Sequence, residues 1–120
     1  MDRGRKLVLQ KKNFQNPDET QTPPYVRIEN IRIGDMTVSK HTYQPGWQWS
    51  KHIKPIAKTD SCQVHHFGVL VSGRLRVRAN DGQEIEFGSG DVVDIPPGHD
   101  GWTIGNEPAI FYWFTKTNPK

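Results

Sequence analysis

Short alternations of apolar and polar residues dominate the chain from Tyr25 onward, and this pattern predicts β-strands. In RLRVRA, Leu75 and Val77 alternate with arginines. In QEIEF, Ile85 and Phe87 alternate with polar residues in the same way. Because successive side chains of a strand point to opposite faces, all four apolar residues are predicted to face inward. No window shows the apolar period of an amphipathic helix, so an all-β chain is expected.

Turn-forming residues separate these alternations at short intervals. Pro45-Gly46 and Ser72-Gly73 each follow a run, and Asn80-Asp81-Gly82 is a strong signal for a tight hairpin. The segment KPIAKTD is predicted to be a loop. At least seven short strands result, which predicts an antiparallel sandwich or barrel. The predicted strands include MTVSKHTYQ, WQWSKHI, CQVHHFGVLV and AIFYWFTK.

Length and composition favour one folded domain over residues 25–120. A chain of 120 residues suits a single core, and its twelve aromatic residues argue against disorder. Residues 1–24 are predicted to form a basic and polar N-terminal extension. Within this extension, the apolar Leu7-Val8-Leu9 is a candidate edge strand that could cross to a partner subunit.

The location of the charge argues against a nucleic-acid partner. Residues 1–12 carry five basic side chains and one acidic one, whereas the rest of the chain carries eleven basic and twelve acidic ones. The domain therefore lacks the basic face that phosphate binding requires. No apolar run approaches the ~20 residues of a membrane span, so no membrane association is expected. The single cysteine rules out a disulfide within the chain and predicts a cytoplasmic location.

The segment TDSCQVHHFGVLVSG contains the single cysteine and two of the five histidines. Strand alternation places Cys62 and His66 on one face and His65 on the other. His99, from PPGHDG, and His52, from the predicted strand after the tryptophans, are expected to complete a metal site. Thiolate and imidazole ligands suit Zn²⁺, Cu or Fe²⁺ rather than Mg²⁺ or Ca²⁺. The alternative is a metal-free pocket, with a hydrogen-bonded His66 and a buried, inert Cys62.

A nucleophilic Cys62–His66 pair is the less favoured interpretation of the same residues. Such a pair needs an activated thiolate and a third, orienting group. Positions i and i+4 of one strand lie roughly 13 Å apart, too far for a direct hydrogen bond. His41 has no motif partner and is interpreted as a structural residue.

Tryptophans are the candidate ligand-binding residues. Trp47 and Trp49 alternate with polar residues and are predicted to share a face. With Trp102 and Trp113 nearby in the expected fold, they could line a pocket for a flat or apolar ligand. Core packing is the alternative role.

Two charged residues extend this candidate site. Lys54 is a candidate anchor for an anionic group at the mouth of the pocket, or else an ordinary exposed lysine. Asp100 could orient the adjacent His99 imidazole through the ring nitrogen that does not bind metal, or it could cap the loop backbone.

The order of strands and turns from Gly46 to Trp113 follows a known pattern. Its parts are HHFGVLVSGRLRV, the NDG hairpin, EIEFGSGDVVDIPPGH and the closing aromatic strand. Together they resemble the cupin family, whose second motif, G-x5-P-x-G-x2-H-x3-N, begins here with Gly90, Pro96 and Gly98. PGWQWS, HIKP and IPPGHDGW further resemble a cupin subgroup found alone and fused to signalling domains. The resemblance implies an antiparallel double-sheet jelly-roll barrel that forms a homodimer.

The metal-ligand positions of the family are occupied differently in this chain. Counted back from the last glycine of the first motif, His66 occupies the position of the family's glutamate. The two histidine positions of that motif fall at Cys62 and Asp60. The histidine position of the second motif falls at Gly101, and His99 lies two residues earlier. The family's metal site therefore cannot be carried over residue by residue.

Two functions follow from these observations. The first is a small-molecule binding or sensing module with a His- and Cys-containing pocket, with or without metal. The second is a small metal-dependent enzyme of the dioxygenase or isomerase type, in which the metal acts as a Lewis acid. The irregular ligand spacing favours the first. Both require Cys62, His66 and His99 to converge on one cavity lined by a tryptophan.

Overall fold

A computed structural model describes residues 8–117 and confirms the all-β prediction. Over this range the chain forms nine strands and two four-residue helices, and neither helix is long or apolar enough to cross a bilayer. The helices are α1 (Trp49–His52) and α2 (Lys54–Ala57). The strands are β1 (Glu19–Gln21), β2 (Val26–Ile33), β3 (Met36–Tyr43), β4 (His66–Ser72), β5 (Arg74–Ala79), β6 (Glu84–Phe87), β7 (Val92–Ile95), β8 (His99–Ile104) and β9 (Ala109–Lys116).

The strands form two antiparallel sheets, as expected for a double-sheet jelly roll. The larger sheet has the order β1-β2-β3-β9-β4-β7, and the smaller one has the order β6-β5-β8. The core lies between the sheets. Leu70 and Phe111 of the larger sheet are fully buried, and Leu75 and Val77 of the smaller sheet are buried as predicted. Full burial of such a side chain contributes about 1.5–3 kcal/mol to stability.

The centre of the larger sheet depends on a glycine in β4. Gly68 pairs with Trp113 of β9. A Cβ atom at Gly68 would lie 2.8 Å from the Trp113 ring and closer still to the carbonyl oxygen of Tyr112. The absence of a side chain therefore allows β9 to lie close beside β4 in the sheet and keeps Trp113 in place beside the interior.

Ile85 faces inward as predicted, but it is not buried. Ile85 pairs with the buried Val77 and thus faces the same side of the smaller sheet, but it is 55% exposed. The reason is that β6 is an edge strand of this sheet. Phe87, on the same strand, is partly buried and packs against the core.

The predicted strand WQWSKHI and the predicted loop KPIAKTD are also corrected. Both contain a helical turn. The backbone N–H of His52 donates to the carbonyl of Gln48, and the N–H of Ser50 donates to the Asp100 carboxylate at 3.0 Å. This acceptor comes from β8, about fifty residues later, so local alternation could not reveal it. In α2, Pro55 lies in the first turn, where its missing N–H costs nothing.

Part of the N-terminal extension packs on the larger sheet. Its edge strand is β1, which pairs with β2, and Phe14 contacts Tyr112 with ring centres 5.5 Å apart. Val8 and Leu9 are exposed and lie outside any strand, so they do not form the expected edge strand here. Leu7 lies outside the described residues. The domain boundary at residue 25 stays a prediction.

Candidate metal centre

Two of the candidate ligands are placed side by side by the backbone. Cys62 and His99 form an isolated antiparallel bridge. The N–H of Cys62 donates to the carbonyl of His99 at 2.8 Å, and the N–H of Gly98 donates to the carbonyl of Cys62 at 2.7 Å. Gly98 has a φ of +92°, which favours glycine, so the PPGH turn that presents His99 depends on this residue. Directly opposed residues of such a pair have Cβ atoms about 4.5–5.5 Å apart.

The third ligand, His66, begins β4 and points at the same pair. Its Nε2 lies 3.8 Å from the Cys62 Sγ, and the ligand atoms of Cys62, His66 and His99 lie within 4.8 Å of one another. The predicted separation of roughly 13 Å between Cys62 and His66 assumed an extended strand. It does not apply to their reactive atoms because residues 63–65 belong to no strand and the two side chains converge.

Both imidazoles are neutral in the folded protein. Burial lowers the pKa of His66 to about 3, with further lowering by the nearby His99 and His41. Burial also lowers the pKa of His99, although its hydrogen bond to the Pro96 carbonyl and the charge of Asp100 oppose this shift. A neutral imidazole has the free lone pair that a metal requires.

The hydrogen bonds and spacing of these side chains fit a metal ion. Nδ1 of His99 lies 2.9 Å from the Pro96 carbonyl and donates to it, which leaves the Nε2 lone pair free. Burial raises the pKa of the Cys62 thiol, whereas a bound cation would favour its thiolate form. Ligand atoms of one tetrahedral Zn²⁺ lie roughly 3.3–3.8 Å apart. The Sγ–Nε2 distance already matches this value, and small side-chain rotations would bring in His99.

The three side chains line an apolar cavity of about 290 Å³ between the sheets. Within the described part of the chain, no aspartate, glutamate, lysine or arginine lines this cavity. Its walls include the predicted Trp47 and Trp49, together with Trp113 and Tyr43. The expected convergence of a cysteine and two histidines on a tryptophan-lined cavity is therefore observed.

Three predicted site residues lie elsewhere. The His52 ring stacks on Tyr25 with centres 4.2 Å apart, because α1 replaces the predicted strand. Trp102 faces the opposite side of β8 from the cavity-lining Gly101, and Arg78 lies over its ring. Lys54, on α2, is not among the residues that line the cavity.

Asp100 follows the second of its two predicted roles. Its carboxylate accepts hydrogen bonds from the Ser50 backbone and the Gln48 side chain at 3.0 and 3.1 Å, so it caps the backbone at the start of α1. The His99 ring is held by the Pro96 carbonyl instead. His65 is exposed and pairs with Asp94, as its predicted outward orientation implies.

One residue that lines the cavity, His41, was not among the predicted site residues and was interpreted as structural. His41 of β3 lines the cavity, with its ring centre 6.5 Å from that of His66. Its Nδ1 lies 2.9 Å from the Tyr43 hydroxyl, and burial lowers its pKa to about 4. The alternation in KHTY places His41 and Tyr43 on one face, but nothing local indicates that this face meets His66.

Two facing antiparallel sheets around a cavity with clustered cysteine and histidine ligands define a jelly-roll protein with a candidate metal centre. Residues 52–110 match the family model of the EutQ-like cupin domain. The chain belongs to the cupin family. No curated protein matches the chain in sequence.

Solved structures share the fold at low sequence identity. A Rhizobium leguminosarum protein of unknown function is 20% identical, with a TM-score of 0.66 over 93% of this chain and 100% of its own. KdgF from Halomonas sp. is 15% identical, with a TM-score of 0.59 over 83% and 89%. Oxalate decarboxylase from Lactobacillus farciminis is 10% identical, with a TM-score of 0.65 over 96% of this chain and 35% of its own.

Proposed function

We propose that this cupin is a metal-dependent small-molecule binding module. The metal would be held by Cys62, His66 and His99, and a largely apolar ligand would occupy the adjoining cavity. The observation that carries the proposal is the convergence of the three ligand atoms within 4.8 Å at the cavity wall. Three protein ligands leave a tetrahedral metal with one open position.

The donor set supports Zn²⁺, Fe²⁺ or Cu as the bound ion, because thiolate and imidazole are ligands for such metals. When bound, the metal supplies a Lewis acid for an oxygen atom of the ligand. The residues of this chain shape the rest of the pocket. Trp47, Trp49 and Trp113 provide flat apolar walls, and they exclude water from the ligand.

A binding or sensing role is favoured over catalysis by the composition of the cavity wall. Among residues 8–117, no carboxylate or lysine lines the cavity to act as a general acid or base. The second candidate is a small metal-dependent enzyme. It is favoured by one observation, the neutral His41 imidazole at the cavity wall, which is a group of the kind that moves protons.

A homodimer and a cytoplasmic location stay predictions within this proposal. Exposed apolar side chains on the outer face of the larger sheet, such as Phe67, Val92 and Phe114, support an association surface. The absence of a second cysteine supports a compartment in which disulfides are not needed.

Metal analysis of protein purified without a chelator or an affinity tag tests the proposal. We expect close to one transition-metal ion per chain, and its loss in Cys62→Ser and His66→Ala. His65→Ala is the matched control, because this neighbouring histidine is exposed and points away from the cluster. A metal-free wild-type protein that does not take up added Zn²⁺, or a His66→Ala variant that keeps its metal, would contradict the proposal.

A further inference from the structure

A chain of hydrogen bonds among three residues of the cavity wall, His41, Tyr43 and Trp113, determines which nitrogen of His41 carries hydrogen. The Tyr43 hydroxyl accepts a hydrogen bond from Nε1 of Trp113 at 3.2 Å and lies 2.9 Å from Nδ1 of His41. The indole N–H is only a donor, so its direction is certain. Burial raises the pKa of Tyr43, and the phenol therefore keeps its own hydrogen.

That hydrogen has one acceptor within reach among the described residues, and it is Nδ1 of His41. If Nδ1 carried a hydrogen instead, no described protein group would accept the hydrogen of the buried Tyr43 hydroxyl. An unsatisfied buried donor costs roughly 1–3 kcal/mol. A hydrogen on Nε2 avoids this cost when water or a ligand in the cavity accepts it, because the His41 ring lines the cavity and is less buried than Tyr43. Nδ1 is therefore the acceptor, and a neutral His41 carries its hydrogen on Nε2.

The Nε2–H of His41 is available to a ligand. No residue in the range 8–117 accepts a hydrogen bond from this atom, and the ring lines the cavity beside His66. The pKa of about 4 that burial gives His41 is consistent with a neutral ring at pH 7. A fixed hydrogen-bond donor thus lies in a largely apolar wall, whose other donors include the Gln21 side chain and the indole N–H of Trp47, which is buried with no partner among the described residues.

We propose that His41 is a ligand-binding residue whose Nε2–H donates to a second polar atom of a ligand already bound at the Cys62–His66–His99 centre. The ligand class is a small alicyclic or aromatic molecule with two oxygen acceptors. One oxygen occupies the open metal position, and the other, a carbonyl or ether oxygen, accepts from His41. The proposal rests on the metal-binding function proposed above.

The cavity limits the charge and size of this ligand. A second charge remote from the metal would be buried without a partner, because the described wall holds no charged side chain. A single negative charge is tolerated at the metal end. A volume of about 290 Å³ lies at the lower end of the roughly 300–1,000 Å³ of ligand pockets, so the ligand is small.

The tautomer is tested directly by ¹⁵N NMR of the imidazole nitrogens in metal-free protein. We expect a hydrogen on Nε2 of His41 and a bare Nδ1. In Tyr43→Phe, which lacks the hydroxyl donor, a population with hydrogen on Nδ1 should appear. A wild-type spectrum with hydrogen on Nδ1 would overturn the proposal, whatever the result of metal analysis.

The ligand class is tested by calorimetry on the Zn²⁺-loaded protein with matched probes. The probes are cyclohexanecarboxylate and its 3-oxo and 4-oxo derivatives, which share the metal-binding carboxylate and differ by one ketone. We expect at least one ketone to bind roughly 5- to 10-fold more tightly than the parent acid, the effect of one hydrogen bond.

Two variants of His41 test whether this residue causes the preference for the ketone. His41→Phe should abolish it, whereas His41→Gln, whose amide N–H can replace Nε2–H, should retain part of it. The zinc content of each protein is measured first. A wild-type protein that binds no zinc would overturn the proposed function, whereas equal binding of all three acids, or a preference that persists in His41→Phe, would overturn the role of His41 alone.

Discussion

The cavity histidines are neutral because they are buried, and this has a cost that depends on pH. His41 and His66 have pKa values of about 4 and about 3, below the ordinary value of 6.5. Neutrality gives His66 a free lone pair for metal and gives His41 a fixed donor. Because a charged imidazole is unfavourable in this buried environment, protonation of either ring lowers the free energy of unfolding.

Acid is therefore expected to destabilise the metal-free protein between pH 6.5 and about 4. In this window the unfolded chain binds protons at His41 and His66 that the folded chain does not bind. The free energy of unfolding should fall by up to about 1.4 kcal/mol per histidine for each pH unit lost below 6.5. Above that pH both states are neutral, and the contribution is complete. Urea unfolding in EDTA at pH 5, 6 and 7 measures the slope.

His41→Gln removes one of the buried histidines whose pKa is lowered and should reduce this slope, while His66 and His99 remain. His65→Ala is the comparison variant, because it removes a histidine whose side chain is exposed. The range from pH 5 to 7 lies above the ordinary pKa values of carboxyl groups, about 4, so histidines dominate it. A slope that is identical in wild type and His41→Gln would show that His41 is not buried as a neutral ring.

At the level of elements, the contact between β4 and β9 positions both His66 and Trp113. Gly68→Ala should destabilise the protein by about 3 kcal/mol or more, because the added methyl meets the Tyr112 carbonyl, which no side-chain rotation can move. Gly88→Ala is the matched control. A Cβ at Gly88 has no neighbour within 4 Å and should change stability by less than about 0.5 kcal/mol. Equal urea midpoints for the two variants would contradict this account.

Element type was predicted well where it depends on local pattern. The β5–β6 hairpin follows from alternation and the NDG turn, and Leu75 and Val77 face the core as expected. The helical turn at Trp49–His52 was not predicted, because the Asp100 carboxylate that accepts from Ser50 lies far along the chain. Trp102 was misplaced although alternation with His99 and Gly101 already puts it on the other face of β8.

At the scale of the whole molecule, metal binding should stabilise the fold by mass action. Free Zn²⁺ at 100 times its dissociation constant contributes about 2.7 kcal/mol, which for a chain of this size raises Tm by roughly 10 °C. The cause is that the three ligands come together only in the folded chain. Thermal unfolding with Zn²⁺ and with EDTA measures the shift.

Cys62→Ser should lose most of this shift, and His65→Ala should keep it. Serine is nearly the same size as cysteine but is a poor ligand for Zn²⁺, so this variant tests coordination rather than packing. A shift of equal size in Cys62→Ser would place the stabilising zinc at another site.

The sequence by itself determined the all-β class and the hairpin turns, and it identified Cys62, His66 and His99 as candidate ligands. These are local properties, because alternation and turn residues act over a few neighbouring positions. Only the tertiary structure decided that His41 faces the same cavity, that His52 does not, and that Sγ of Cys62 lies 3.8 Å from Nε2 of His66. Alternation assigns a side chain to a face, whereas distances across a cavity depend on how separate strands pair and where each strand begins.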